Sequence, residues 1–200
     1  MSIVGHGLTL GTHVEDAMEA LAVVDKADPI AELVTAGKHR DAVAACAETH
    51  GAVIGRTCMA LLGSQADADE ATQETLLRAH RGMASYRAEG SIKAWLCGIA
   101  RHVCAHMLET RRKQRELLEV VPTDDEGRDV FAQRRRSRAV RDALAKLKPT
   151  EREALVLRYV ADLSHREIAV ACNLDEPTAR KRISRALAKL RTVMPEQENE

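Results

Sequence analysis

Three helix-start signals crowd into the last quarter of the chain: Thr150-x-x-Glu153, Ser164-x-x-Glu167 and Pro177. Each of the first two is a capping box, in which a hydroxyl and a carboxylate satisfy free backbone groups at a helix start. A proline suits a first helical position because its missing N–H would have no partner there. Spaced this closely, the three signals predict two short helices followed by a longer one, with Asn173-Leu174-Asp175 as the turn before the last. That is the helix-turn-helix plan, whose final helix can lie in the major groove. Its inward face is expected to be Ala179, Ile183, Leu187 and Leu190, which leaves Thr178, Arg180, Lys181, Ser184 and Arg185 outward.

The rest of the chain reads as helix too. Aromatic residues are 2% of the 200, so a large aromatic β core is excluded, and 45% apolar with 30% charged residues favours amphipathic helices. Asp28-Pro29 opens a first stretch, with Ile30, Leu33 and Val34 on one face. A second helix is predicted from about Arg40 to Leu62, stopped by Gly63. A third runs from about Asp67 to Met83, after a turn over 64–69. Ser85 to Gly90 is a polar loop, and Ser91 caps a helix whose apolar face is Ile92, Trp95, Leu96, Ile99 and Val103, ending in Arg111-Arg112-Lys113-Gln114-Arg115. Pro122 to Gly127 is polar and helix-poor. The expected division is an N-terminal extension over 1–28, a domain over 29–115, a flexible linker over 116–136, a domain over 137–193 and a tail over 194–200.

Net charge is zero, but it is segregated. Up to His50 the basic residues are Lys26, Lys38 and Arg40, whereas 180–191 is basic and carries no acid. Such a chain can offer opposite faces to two partners. Cys46, Cys58, Cys97, Cys104 and Cys172 are odd in number and form no CxxC pair, so they read as reduced thiols. The start lacks a basic n-region and the chain lacks an apolar run of spanning length, which predicts a soluble, cytoplasmic protein without membrane insertion.

The span from about Asp28 to Arg191 resembles the extracytoplasmic-function (ECF) sigma factors. Ala143 to Glu153, Leu157-Arg158-Tyr159 and Leu163 to Ala169 resemble the family's region 4. Ala66 to Ala79 is similar to its region 2.2, and Tyr86-Arg87 with Ser91 to Arg101 to its regions 2.3 and 2.4. His80, Cys97 and Pro177 depart from residues common in the family, namely an aromatic, a tyrosine and a glycine.

The resemblance implies an all-α protein of two small helical domains that directs RNA polymerase to promoters without being an enzyme. It implies that Asp67, Asp69, Glu70, Gln73 and Glu74 meet the clamp coiled coil of the polymerase's largest subunit. Tyr86, Arg87, Ser91, Lys93, Trp95, Arg101, Arg111 and Arg112 are the implied minus-ten DNA residues, the 85–90 loop taking an unstacked base, with Lys113 and Arg115 as further phosphate contacts. Arg166, Thr178, Arg180, Lys181, Ser184 and Arg185 are the minus-thirty-five set. An anti-sigma factor is a further implied partner. As ordinary structure, the acids suit a helix N-terminus, and Trp95 on an apolar face suits a core.

Two rival functions differ in class. A helix-turn-helix regulator that is not a polymerase subunit needs none of the 66–79 pattern. A metal sensor or enzyme would have to use His102, Cys104 and His106, of which His102 and His106 alone share a helical face. No fourth ligand, phosphate loop or catalytic carboxylate pair accompanies them, so no metal and no cofactor is expected.

Overall fold

The computed structural model describes residues 29–87, 90–118, 140 and 142–193. The Asp28 cap, the 1–28 extension, most of the 116–136 linker and the 194–200 tail lie outside the described residues. Among the described residues there is no strand, and the all-α expectation holds.

The N-terminal unit is built from α1 (Pro29–Thr35), α2 (His39–Leu62), α3 (Gln65–Gly82), a 3₁₀ turn (Met83–Ser85) and α4 (Ile92–Leu118). Gly63 ends α2 at φ 78°, and its N–H bonds Met59 O at 2.9 Å. That left-handed turn is open to glycine without steric penalty. Helix α3 starts earlier than its sequence suggests. Ser64 is extended and its hydroxyl accepts from the Asp67 N–H, so the helix begins at Gln65 inside the expected turn. Ser91 caps α4 as expected, its hydroxyl accepting from Ala94 N–H at 3.2 Å. Helix α4 then runs on to Leu118, into the span assigned to the linker.

The C-terminal unit holds a short helical stretch over 142–145, then α5 (Pro149–Tyr159), α6 (His165–Cys172) and α7 (Glu176–Val193). The Ser164 box forms: Glu167 N–H donates to Ser164 Oγ at 3.2 Å and Ser164 N–H to Glu167 Oε2 at 2.8 Å. The Thr150 box does not. Pro149 takes the first helical position, and Glu151 reaches back to accept from Lys148 N–H at 3.2 Å. Asn173 turns the chain at φ 52°. Asp175 caps α7, accepting from Thr178 N–H at 2.7 Å, which moves Pro177 to the second helical position.

The interiors are made of small residues. Ala42, Ala68, Ala71, Ala79 and Ala100 are buried between α2, α3 and α4, around Ile54, Met83, Leu96 and Val103. Leu157, Leu163, Ile168, Ala179, Ile183 and Ala186 fill the second core. Each core also borrows from the other unit. Val156 of α5 enters the first, while Ala94 and Cys97 of α4 enter the second, with Val53 packed against it.

Candidate polymerase and nucleic-acid interfaces

Helix α7 presents two faces. Ala179, Ile183 and Ala186 are buried, and Leu187 and Leu190 are half-buried against them. Thr178, Arg180, Lys181, Ser184 and Arg185 are all exposed. Arg180 pairs with Glu176 of its own helix at 2.7 Å in a solvent-exposed bridge. Backbone and hydroxyl hydrogen bonds from Thr178 hold the Asp175 carboxyl below the usual carboxylate range, as an anionic cap requires. Arg166 stands exposed on α6. The helix that can enter a groove therefore carries an uninterrupted outward row of guanidinium, ammonium and hydroxyl groups, the types that read guanine edges and hold phosphate.

Helix α3 carries the acids. Asp69, Glu70 and Gln73 are exposed and Glu74 is half-buried. Asp69 accepts from Gln65 at 2.8 Å, and Glu74 pairs with Arg78 at 2.6 Å. Asp67 stands apart from this group: it is bridged to Arg111 of α4, whose guanidinium holds its carboxyl below the ordinary range with help from Ser64 and against burial. One residue expected to meet polymerase and one expected to meet DNA are thus joined to each other.

The residues expected at minus-ten DNA have three kinds of surroundings. Tyr86 and Trp95 form one aromatic pair, ring centroids 5.1 Å apart and tilted 48°, packed beside the first core. The Tyr86 hydroxyl donates to Gly90 O at 2.8 Å and so ties the loop across residues 86–90. Arg87 is exposed, as is Arg112, which bridges Glu109 and Glu116 along its own helix. Ser91, Lys93 and Arg101 face the C-terminal unit. Ser91 Oγ bonds Glu167, Lys93 Nζ donates to Asp162 O at 3.0 Å, and Arg101 Nη1 meets Glu153 at 3.2 Å with side chains 14% and 12% exposed. Arg101 Nη2 also donates to His102 Nε2 at 2.8 Å, and burial with that adjacent charge lowers the His102 pKa.

Glu153 and Glu167, which the sequence marks only as helix caps, and Asp162, which it does not mark at all, are the partners of Ser91, Lys93 and Arg101 on the C-terminal unit. Burial raises the Glu167 carboxyl, but hydrogen bonds from Ser91 and from Ser164, with the Lys93 charge, outweigh it and hold the group below its usual range. One carboxylate thereby closes a capping box and grips the neighbouring unit.

The thiols are free; Cys46, Cys58, Cys97 and Cys104 are buried and Cys172 is half-buried. Burial pushes Cys97 up to about 12, so it stays protonated. Cys104 is buried while His102 and His106 are exposed, and no cluster able to hold a metal occurs among the described residues. No described helix is long and apolar enough to cross a membrane.

An acid-faced four-helix unit followed by a basic helix-turn-helix defines a class, that of the sigma-70 proteins. The sigma-70 region 2 family model matches residues 46–115, and the sigma-70 region 4 model residues 137–190. The ECF RNA polymerase sigma factor SigC of Mycobacterium tuberculosis is 34% identical over 135 residues, spanning 64% of this chain and 70% of its own. SigE of Mycolicibacterium smegmatis is 29% identical over 157 residues, 76% of this chain and 61% of its own. Among solved structures, CnrH in complex with the cytosolic domain of CnrY matches with a TM-score of 0.62 and 24% identity over 82% of this chain and 94% of that one. The sigma factor RpoE in complex with the anti-sigma factor NepR from Bartonella quintana matches at 0.54 and 22%, over 73% and 94%. These two show the fold. The chain belongs to the ECF sigma factors of RNA polymerase, and it directs transcription initiation by binding core polymerase and promoter DNA.

Proposed function

We propose the following division of labour on this chain. Asp69, Glu70, Gln73 and Glu74, with Asp67 at their edge, dock α3 on the clamp coiled coil of the largest polymerase subunit. Tyr86, Arg87, Ser91, Lys93, Trp95, Arg101, Arg111 and Arg112 receive the opened minus-ten strand, with the 85–90 loop taking an extruded base. Arg166, Thr178, Arg180, Lys181, Ser184 and Arg185 read the minus-thirty-five duplex. The working units are residues 29–115 and 137–193, joined by 116–136. The protein acts in the cytoplasm as a non-catalytic subunit, held in check by an anti-sigma factor of the kind that RpoE meets in its solved complex.

The observation that carries this reading is the pairing of two oppositely charged, exposed surfaces on one chain: the α3 acids and the α7 cations. Acids complement a basic docking surface and set its association rate. Cations opposite a buried Ala179-Ile183-Ala186 stripe complement phosphate and guanine. A regulator without polymerase contacts has no use for the first surface. In vitro transcription with core polymerase on a genomic promoter library tests the reading. The wild-type chain should select a defined promoter set; Asp69→Lys with Glu70→Lys should lower all transcripts together, and Arg180→Ala should change which promoters are chosen. Selection that survives both sets of changes would refute the assignment.

A further inference from the structure

Over residues 176–193 helix α7 carries Arg180, Lys181, Arg182, Arg185, Lys189 and Arg191 against a single acid, Glu176. That acid is the first residue of the helix, in the turn from which a reading helix reaches base edges. Capping does not account for it. Asp175 already fills that role, its Oδ1 accepting from Thr178 N–H at 2.7 Å and its Oδ2 from the Thr178 hydroxyl at 2.9 Å. The Glu176 carboxylate lies instead along the helix, 2.7 Å from the Arg180 guanidinium, in an exposed pair that adds little to helix stability. Against this small gain stands an electrostatic cost. A carboxylate on a surface that meets DNA opposes the cations that neutralise phosphate.

We propose that Glu176 is a specificity-determining residue: it accepts a hydrogen bond from the exocyclic amine of a cytosine one base step from the guanine that Arg180 reads, and it repels other bases at that place. The inference rests on the assignment of α7 to the minus-thirty-five duplex. An ionised carboxylate can only accept hydrogen bonds. In the major groove guanine offers it the acceptors N7 and O6, and thymine the acceptor O4. Adenine sets the acceptor N7 beside its amine, whereas cytosine shows the N4 amine alone. Reach agrees with a neighbouring pair. The two side-chain heads lie 2.7 Å apart, comparable with a base step of roughly 3.4 Å. When Arg180 turns to its guanine, Glu176 loses its cation. Beside cytosine it gains a donor; beside any other base it is left as an anion facing acceptors and phosphate. The same group thus supplies attraction to one sequence and repulsion against the rest.

The test uses holoenzyme reconstituted with the wild-type chain, Glu176→Ala, Glu176→Gln or Arg180→Ala. Binding is measured at several salt concentrations on one selected promoter and on its single-base variants across the minus-thirty-five element, and helicity of each chain by circular dichroism. The wild type should prefer cytosine about tenfold at one position. Glu176→Ala should lose that preference, bind the non-cytosine variants more tightly, and steepen the fall of log affinity with log salt by up to about one unit. Glu176→Gln should move the preference to adenine, whose N6 and N7 match an amide. A residue that only supports the helix start would not produce that exchange. Should Glu176→Ala lose helicity, Glu176→Gln, of the same shape, carries the comparison. Unchanged base preference in both Glu176 variants would overturn the inference. Uniform weakening on every sequence would do so too, as would a loss confined to the position that Arg180→Ala also loses. Failure of the underlying assignment of α7 reads differently: Arg180→Ala would then keep every base preference of the wild type.

Discussion

Helices α4 and α7 carry similar cations to opposite fates. Arg180 of α7 pairs with Glu176 one turn away, and the two side chains are 66% and 41% exposed. Such a bridge is worth about 0–1 kcal/mol, so Arg180 can leave it for a guanine at little cost. Arg101 of α4 pairs with Glu153 of α5 where little water reaches either group. Removing one partner there strands the other, and the buried Arg101 Nε already has no hydrogen-bond partner among the described residues. The difference teaches that the same kind of side chain can leave its folded partner on α7 and is held by it on α4. Helix α7 has one buried face and α4 has two.

The sharpest way to break that comparison is through the cores. Leu96→Ala and Leu157→Ala each empty a fully buried position, one in each unit, and should cost about 2–5 kcal/mol in urea unfolding. A cost below about 1 kcal/mol for Leu96 would mean that α4 is not held on its N-terminal face as described. Next in size is Arg101→Ala, expected to destabilise by about 1–3 kcal/mol because Glu153 loses its partner. Arg180→Ala should change unfolding by less than about 0.5 kcal/mol. It should instead remove about 1–3 kcal/mol of discrimination at one base position, measured with reconstituted holoenzyme on promoter mutants. Equal stability losses for the two arginines would erase the contrast between the helices.

A smaller effect is expected at α3. Reversing Asp69 and Glu70 to lysine should weaken core-polymerase binding about tenfold, near 1.4 kcal/mol, without loss of helicity. The smallest concerns acid. Arg111 holds the Asp67 carboxyl below its unfolded value. A lowered carboxyl stabilises the fold above the unfolded pKa of about 3.9, and that contribution fades as pH falls from there through the lowered folded value. Asp67→Asn should therefore lower the thermal midpoint slightly at neutral pH and converge with wild type in strong acid. A constant offset across the acid range would show that the bridge contributes nothing through its charge.

Much of α7 was legible because one-sided burial leaves a helical period in the residues. Ala179 and Ile183 fall where that period puts them, opposite Arg180, Lys181 and Arg185. Ala186 escaped because a small methyl gives little apolar signal, although close packing buries it fully. The start of α5 was misread because Glu151 and Glu153 offer two capping registers; Pro149, at the first helical position, decides between them. Glu153 is then released to meet Arg101. Tyr159 of the same helix is 62% exposed, while Ala154, Leu155, Val156 and Leu157 are buried. The contacts of Ser91, Lys93 and Arg101 join residues far apart in sequence and leave no local period. Gly98 is a helix-interior glycine like Gly51 and Gly55, and of these three it alone has another backbone beside it.

Glu151 has a consequence for redirecting this protein to new promoters. It is 8% exposed, accepts from Lys148 N–H at the start of α5, and takes Lys189 Nζ at 2.6 Å near the far end of α7. The Lys189 ammonium keeps its carboxyl below the usual range, so the tether is ionic at neutral pH. It fastens α7 to its support near the C-terminal end of the helix, about two to three turns beyond the outward residues Thr178, Arg180 and Lys181. Those outward residues can be exchanged as a cassette while the tether and the Ala179-Ile183-Ala186 stripe keep the helix at the same angle. Altered address and preserved posture are thus separable, residue by residue, along a single helix.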